Sequence, residues 1–246
     1  MTEAELVLIV AACLCGSFVK SVTGMGFPLI AIPVLTLAID LETAVAVVAI
    51  PNTLTNIALN IGTRHERNEP TALGPFGVAT IGGAVAGTLL LVKIPETPLL
   101  LVLILVIVLY LFEATRPSPS QLSATRQRRW SGPVGSIAGV LQGVVGISGP
   151  VVAIWFRQQR LSKDGFVFAV TTVFLIGAAT QLVVLAGAGA FTHDRLLAGV
   201  LGTVASAAAL PVGIKVRARL DHATFSRVIL VLLGGAAVSL TVRALG

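Results

Sequence analysis

Two apolar stretches of this chain are interrupted by the same kind of break: Ser21-Val22-Thr23-Gly24-Met25-Gly26-Phe27-Pro28, and Gly143-Val144-Val145-Gly146-Ile147-Ser148-Gly149-Pro150. They lie 122 positions apart. Glycine, proline and small hydroxyl residues within a long apolar run let a segment unwind inside a protein and turn backbone amides and carbonyls toward something other than lipid. Matching breaks in two halves of a chain point to a transporter's binding site.

The apolar character is general. Of the 246 residues 55% are hydrophobic and 11% charged, and the mean hydropathy is +0.96. A soluble domain could not clothe its surface with so little charge, so the chain is read as an integral membrane protein. Runs such as Thr43 to Gly62, Leu73 to Val92 and Pro98 to Ala114 approach or reach the roughly 18 to 20 residues that cross a hydrocarbon core. They are continuous rather than alternating, which predicts helices and excludes a barrel. The N-terminus has no positive n-region and no small-residue cleavage site, so it is read as retained. Cys13 and Cys15 are the only cysteines. Two positions apart on a helix, they point to opposed faces and read as small packing residues, with no metal site.

At the offset of 122, Val22, Gly24, Pro28, Ala31, Ile32, Val45, Val48, Gly77, Val78 and Lys93 meet identical residues. This predicts an internal duplication: a first repeat over 1–115, a polar cytoplasmic linker over 116–131, and a second repeat over 132–246. Each repeat holds one broken stretch (4–39 and 132–156) followed by three unbroken spans: 43–62, 72–92 and 97–114, against 164–188, 195–214 and 223–244. The first broken stretch is long enough for two pieces of roughly 25 Å each. Whether it forms a re-entrant hairpin or two short crossings is open.

Loop charge sets the orientation. Arg64, Arg67, the linker with Arg116, Arg126, Arg128 and Arg129, then Arg157, Arg160 and Lys163, and finally Lys215, Arg217 and Arg219 fall in four connections. The N-terminus, the Asp40 to Glu42 turn, the Lys93 to Thr97 turn and the Ala186 to Asp194 loop are acidic or weakly charged. With the basic four inside, every unbroken span crosses consistently and the two repeats are inverted. Arg195 and Lys93 are exceptions. The net charge of +6 is therefore a topology signal with no nucleic-acid partner, and it also suits attraction of an anion.

In each break a helix is expected to restart at Pro28 or Pro150, because proline suits a first helical turn. A helix N-terminus carries unpaired N–H groups and about half a positive charge, so two of them meeting at mid-depth would hold an anion. Close helix packing is the alternative use of the same glycines. The substrate-binding candidates are Ser21, Thr23, Gly24 and Gly26 in the first break, and Gly146, Ser148 and Gly149 in the second. Asn52, Asn56 and Asn60 form one stripe of a helix that should not face lipid. Asn52 and Asn56 are expected to line a path, and Asn60 to hydrogen-bond between helices. In the second half the equivalents of Asn52 and Asn56 are Phe174 and Ala178, while Thr171, Thr172, Thr180 and Gln181 supply polar groups. Lys20 and Gln142 are repeat-related and flank the breaks; of two readings of Lys20, balancing the charge of an anion or snorkelling to the interface, snorkelling is the one expected.

No Asp or Glu lies deep in a span, so neither a buried carboxylate proton carrier nor a heavily charged cation site is supported. No nucleophile, paired-carboxylate or His-rich constellation appears in the spans, and no phosphate-binding P-loop. The chain is read as neither an enzyme nor an ATP-driven pump, with no cofactor; a coupling ion, H⁺ or Na⁺, is left open.

At the two breaks the chain resembles the sulfite exporter TauE/SafE (TSUP) family. Pro28-Leu29-Ile30-Ala31-Ile32-Pro33-Val34-Leu35, after the first glycines, is similar to that family's first repeat motif, and Gly143 to Pro150 with Val151-Val152-Ala153-Ile154 to its second. The resemblance implies transport of a sulfur-containing anion such as sulfite, sulfoacetate or a related organosulfonate, typically export across a bacterial cytoplasmic membrane. The residues themselves support an all-α, multi-pass inverted-repeat carrier in a lipid bilayer, with a homo-oligomer possible. An anion channel and a membrane scaffold or lipid-binding subunit are the competing readings.

Overall fold

The computed structural model describes residues 1–23, 25–68, 70, 72–114, 121–159, 161–217, 233–235 and 237–242. The described chain is helical and carries no strand. The helices are α1 (Glu3–Thr23), α2 (Phe27–Thr36), α3 (Leu41–Thr63), α4 (Leu73–Lys93), α5 (Glu96–Ala114), α6 (Ala124–Val145), α7 (Gly149–Arg157), α8 (Lys163–Gly187) and α9 (His193–Arg217). A single 3-10 turn, Arg64–Glu66, follows α3. Among the described residues six helices, α1, α3, α4, α5, α8 and α9, are long and apolar enough to cross a membrane. Residues 116–120, Arg160, Arg219 and most of the expected last span, 223–244, lie outside the described residues.

The expected breaks fall where the glycines are, but they divide their stretches unequally. Helix α1 has 21 residues and α2 has 10, so the pieces are about 31 and 15 Å long rather than two of 25 Å. The second stretch divides in the same way, with 22 residues in α6 and 9 in α7. Each break therefore joins a full-length helix to a half-length one. Helix α6 also begins at Ala124, inside the stretch expected to be linker. Arg126, Arg128 and Arg129 extend the helix beyond its apolar part, where only Gln127 and Ser131 are buried. Such a segment has no hydropathy signature, because most of it faces water.

The helices pack as two close parallel pairs. In the first, Gly139 and Gly143 on α6 lie against Gly83 and Gly87 on α4, and Gly135 against Phe76, so near that any Cβ there would meet the opposite backbone. A Cβ on Gly143 would stand 2.5 Å from the amide of Thr88. In the second pair, Gly202 on α9 faces the Cys13 sulfur of α1, and the Ser17 hydroxyl donates to the Ser206 carbonyl at 2.8 Å. Without water to drive helices together, such contact is the main source of cohesion in a membrane, and small residues permit it. Cys13 is buried at this seam and Cys15 is exposed.

Side chains at the ends fix which connections share an end. At one, the Met1 amine meets Asp194 at 2.8 Å, Arg195 donates to Glu42 at 2.7 Å, and the Leu41 amide donates to Glu96 at 3.0 Å. Arg195, the expected exception among weakly charged loops, is thus paired with a carboxylate. At the other end His65 lies 3.8 Å from Asp164, and Arg157 pairs with Glu113. The α1 and α9 pair starts at the first end, whereas α4 starts next to the Arg64–Glu66 turn at the second.

Candidate functional site

Both breaks end their first helix and start their second with special backbone geometry. Helix α6 stops at Gly146, whose left-handed φ of 70° lets its amide donate back to the Gln142 carbonyl at 2.8 Å. Helix α2 starts after Gly26, at φ 103°, a conformation that side-chain-bearing residues rarely adopt. Proline occupies the first turn of both α2 and α7, and neither start is capped by a side chain. The first intrahelical amides to bond are those of Ile30, to Gly26, and Val152, to Ser148. Ahead of them Phe27 and Leu29, Gly149 and Val151 carry N–H groups with no acceptor inside their own helix.

The two helix starts open on one cavity of ≈ 40 Å³, room for about three water-sized groups. Met25, Gly26, Pro28 and Leu29 line it from the first break, and Gly146, Ile147, Ser148 and Gly149 from the second. Asn52 of α3, Phe174 of α8, Gln142 of α6 and Tyr110 of α5 complete the wall. No carboxylate is among these described lining residues. A Cβ on Gly146 would stand 2.5 Å from Ile32 of α2, so the second break touches the first half directly. A Cβ on Gly149 would enter open space.

Polar side chains at and behind the cavity wall form two clusters, one around Lys20 and one around Gln142. In the first, the Lys20 ammonium, 1% exposed, donates to Asn52 Oδ1 at 3.1 Å, Thr55 Oγ1 at 3.0 Å and Asn56 Oδ1 at 2.6 Å. The Phe27 ring lies 5.9 Å from the nitrogen, within cation–π range. The expectation that Lys20 snorkels is therefore wrong. Three oxygens on one face of α3 replace the water it would otherwise seek, which removes the drive to reach the interface. In the second cluster the Ser148 hydroxyl donates to Gln142 Oε1 at 3.1 Å, and Gln142 Nε2 to Gln181 Oε1 at 3.3 Å. Gln181 Nε2 in turn donates to the Gln142 carbonyl at 2.7 Å, which also accepts from the Gly146 amide, and to the Gly143 carbonyl in the last turn of α6 at 3.1 Å.

With this geometry in view, the family comparison is decisive: the family model described as Sulfite exporter TauE/SafE matches residues 8–240. The chain belongs to the sulfite exporter TauE/SafE family. It is a multi-pass membrane protein of a transporter family. Comparison with curated proteins and with solved structures returned no match.

In this TauE/SafE protein the structure brings Gly26, Asn52, Gly146, Ser148 and Gly149 together at the cavity. Asn56 stands one layer behind, bonded to Lys20 and, through its Nδ2 at 3.2 Å, to Asn52. Gln181 is likewise behind the wall. Ser21 is not at the cavity: its hydroxyl donates to the Phe18 carbonyl at 2.7 Å and lies against Gly213 of α9. Thr171 and Thr172 donate to carbonyls of their own helix, at 2.7 Å each, and Asn60 reaches Thr172 at 2.6 Å as the interhelical bond expected of it. Gly24 and the side chain of Thr23 lie outside the described residues. Tyr110, Met25, Leu29 and Ile147 line the cavity without having been selected. Tyr110 is the only tyrosine of the chain, within an unbroken apolar span, and that solitary polar atom was the available signal. Gln142 was noticed as the mate of Lys20 but not as a lining residue.

Proposed function

We propose that this protein is a secondary transporter of a small sulfur-containing anion, sulfite or a compact organosulfonate, and that it works by alternating access. One observation carries the reading: the two breaks open two helix starts on one partly enclosed cavity whose described wall offers amide and hydroxyl groups and no carboxylate. Membership of the TauE/SafE family supports the same substrate class. The small volume favours a compact oxyanion over a long organosulfonate. The opposed directions of the α1–α9 and α4–α6 pairs support an inverted duplication, in which one bundle rocks against the other around the paired breaks. The arginine-rich end is placed in the cytoplasm, and the family's description as an exporter supports export across a bacterial inner membrane.

Asn52 is the residue to test. Its oxygen is held by Lys20 and Asn56, so what it offers the cavity is its pair of N–H donors. Uptake of radiolabelled sulfite into proteoliposomes, under imposed pH and sodium gradients, identifies substrate and coupling ion together. Asn52→Ala should reduce this uptake at least about tenfold, as loss of a buried donor to a charged ligand does. Counterflow exchange in the wild type separates a carrier from a channel, which would pass current instead. Wild-type liposomes with no sulfite or sulfonate flux would refute the proposal.

A further inference from the structure

We infer that the groove between the start of α6 and the end of α7 binds an anionic phospholipid, with the headgroup at Arg126 and an acyl chain running inward between the two helices. The groove is separate from the cavity, and the inference holds whether or not the cavity carries anions. Trp130 and Val134 line it from α6, and Val151, Ile154, Trp155 and Gln158 from α7. At ≈ 360 Å³, against ≈ 40 Å³ for the cavity, it has room for a chain rather than for a small ion.

Helical spacing sets the apolar part. Val151, Ile154, Trp155 and Gln158 follow the i, i+3, i+4, i+7 pattern of one face of α7, and Val134 lies one turn beyond Trp130 on α6. Trp155 is buried and its ring is backed by Phe76 at 6.0 Å, which gives the groove one fixed side. Trp130 and Ile154, 52% and 39% exposed, are left open to the bilayer. The Leu122 amide donates to the Gln158 carbonyl at 3.4 Å, so the residues before α6 are level with the end of α7. Arg126 is exposed and lies one turn before Trp130, on the same side of α6. Arginine, tryptophan and valine thus follow in order along the groove, as phosphate, headgroup boundary and acyl chain do in a leaflet.

Charge singles out an anionic headgroup. Between Glu113 and Asp164 the sequence has seven Arg or Lys residues and no Asp or Glu. Carboxylates at this end have other neighbours: Glu113 pairs with Arg157, and Glu66 and Asp164 lie beside His65. Arg126, Arg128 and Arg129 make no ion pair among the described residues. A phosphatidylcholine headgroup carries no net charge, whereas phosphatidylglycerol brings the negative charge that these arginines lack.

Trp130 and Trp155 are the only tryptophans of the chain and both line the groove, so quenching of their fluorescence reads its occupant. The full chain is reconstituted in phosphatidylcholine bilayers containing a minor share of brominated phosphatidylglycerol or of brominated phosphatidylcholine, with bromine in the upper part of the acyl chains. Brominated phosphatidylglycerol is expected to quench with at least about fivefold higher relative affinity, the gain from one arginine at an anionic headgroup. Arg126→Gln, at an exposed position, should remove most of that preference. Lys215→Gln, an exposed cation at the same end but on α9, should leave it unchanged. Equal quenching by the two lipids in the wild type overturns the inference. So does a preference that survives Arg126→Gln, or one that Lys215→Gln lowers equally, which is the behaviour of diffuse surface charge. Quenching by neither lipid overturns it as well, since the groove is then covered by something else, such as a second copy of this chain.

Discussion

Gly82 and Gly83 are neighbours on α4 with the same helix propensity and opposite surroundings. A Cβ on Gly82 would meet nothing within 4 Å, whereas on Gly83 it would run into the Ser136 carbonyl, with the Val140 amide at 2.8 Å and the Gly139 Cα at 3.0 Å. Alanine at either position gains about 1 kcal/mol of helix propensity over glycine. At Gly83 the gain is opposed by overpacking, about 1 to 3 kcal/mol. The upper part of that range applies, because the obstructing atoms are backbone of α6 and no side chain can swing away. Gly83→Ala should therefore be less stable than Gly82→Ala by about 2 to 3 kcal/mol, with Gly82→Ala at or above wild type. For a chain of this size that separates the melting temperatures by about 5 to 10 °C. Thermal unfolding in detergent, followed by the fluorescence of Trp130 and Trp155, measures it directly. Equal melting temperatures, or a higher one for Gly83→Ala, would refute the claim that backbone contact holds α4 on α6. The same contact positions Gln142 and Gly146, so Gly83→Ala should also slow anion flux.

Gln181→Leu removes the donors from the Gln142 and Gly143 carbonyls and the acceptor from Gln142; destabilisation of about 1 to 3 kcal/mol is expected in the same melting assay. Gly26→Ala forces a Cβ into a left-handed conformation at φ 103°, which costs about 1 to 2 kcal/mol, and tilts the start of α2. Flux should fall further than stability does, which proteoliposome uptake compared with melting will reveal. Asp40→Ala removes the cap on the Thr43 amide, a 2.8 Å bond, at about 1 kcal/mol, and should leave the anion selectivity of the surviving protein unchanged in competition assays.

Much of the candidate site's lining was legible because it is written in local chemistry. Glycine and proline mark where a helix must stop and restart wherever they occur, so Gly26, Gly146, Ser148 and Gly149 could be selected before any fold was known. The amides at 52, 56 and 60 are too costly to expose to lipid, and each found an interior partner. Thr171 and Thr172 did not reach the cavity, since a threonine in an apolar helix can satisfy its hydroxyl on its own backbone.

Hydropathy, with the placing of glycine and proline, determines that this chain is a helical membrane protein, where its described unbroken spans lie, and where two of its segments must unwind. Those properties depend on transfer energies that each residue carries into any fold. Which faces meet was decided by the tertiary structure, through contacts between residues far apart in the chain. Gln142 met Gln181, glycines of α4 and α6 came into backbone contact, and Tyr110 was carried to the wall of the cavity. Lys20 marks the division most sharply. A lysine near the end of an apolar helix finds water by snorkelling unless something nearer replaces that water, and the replacement here is three oxygens more than thirty residues along the chain.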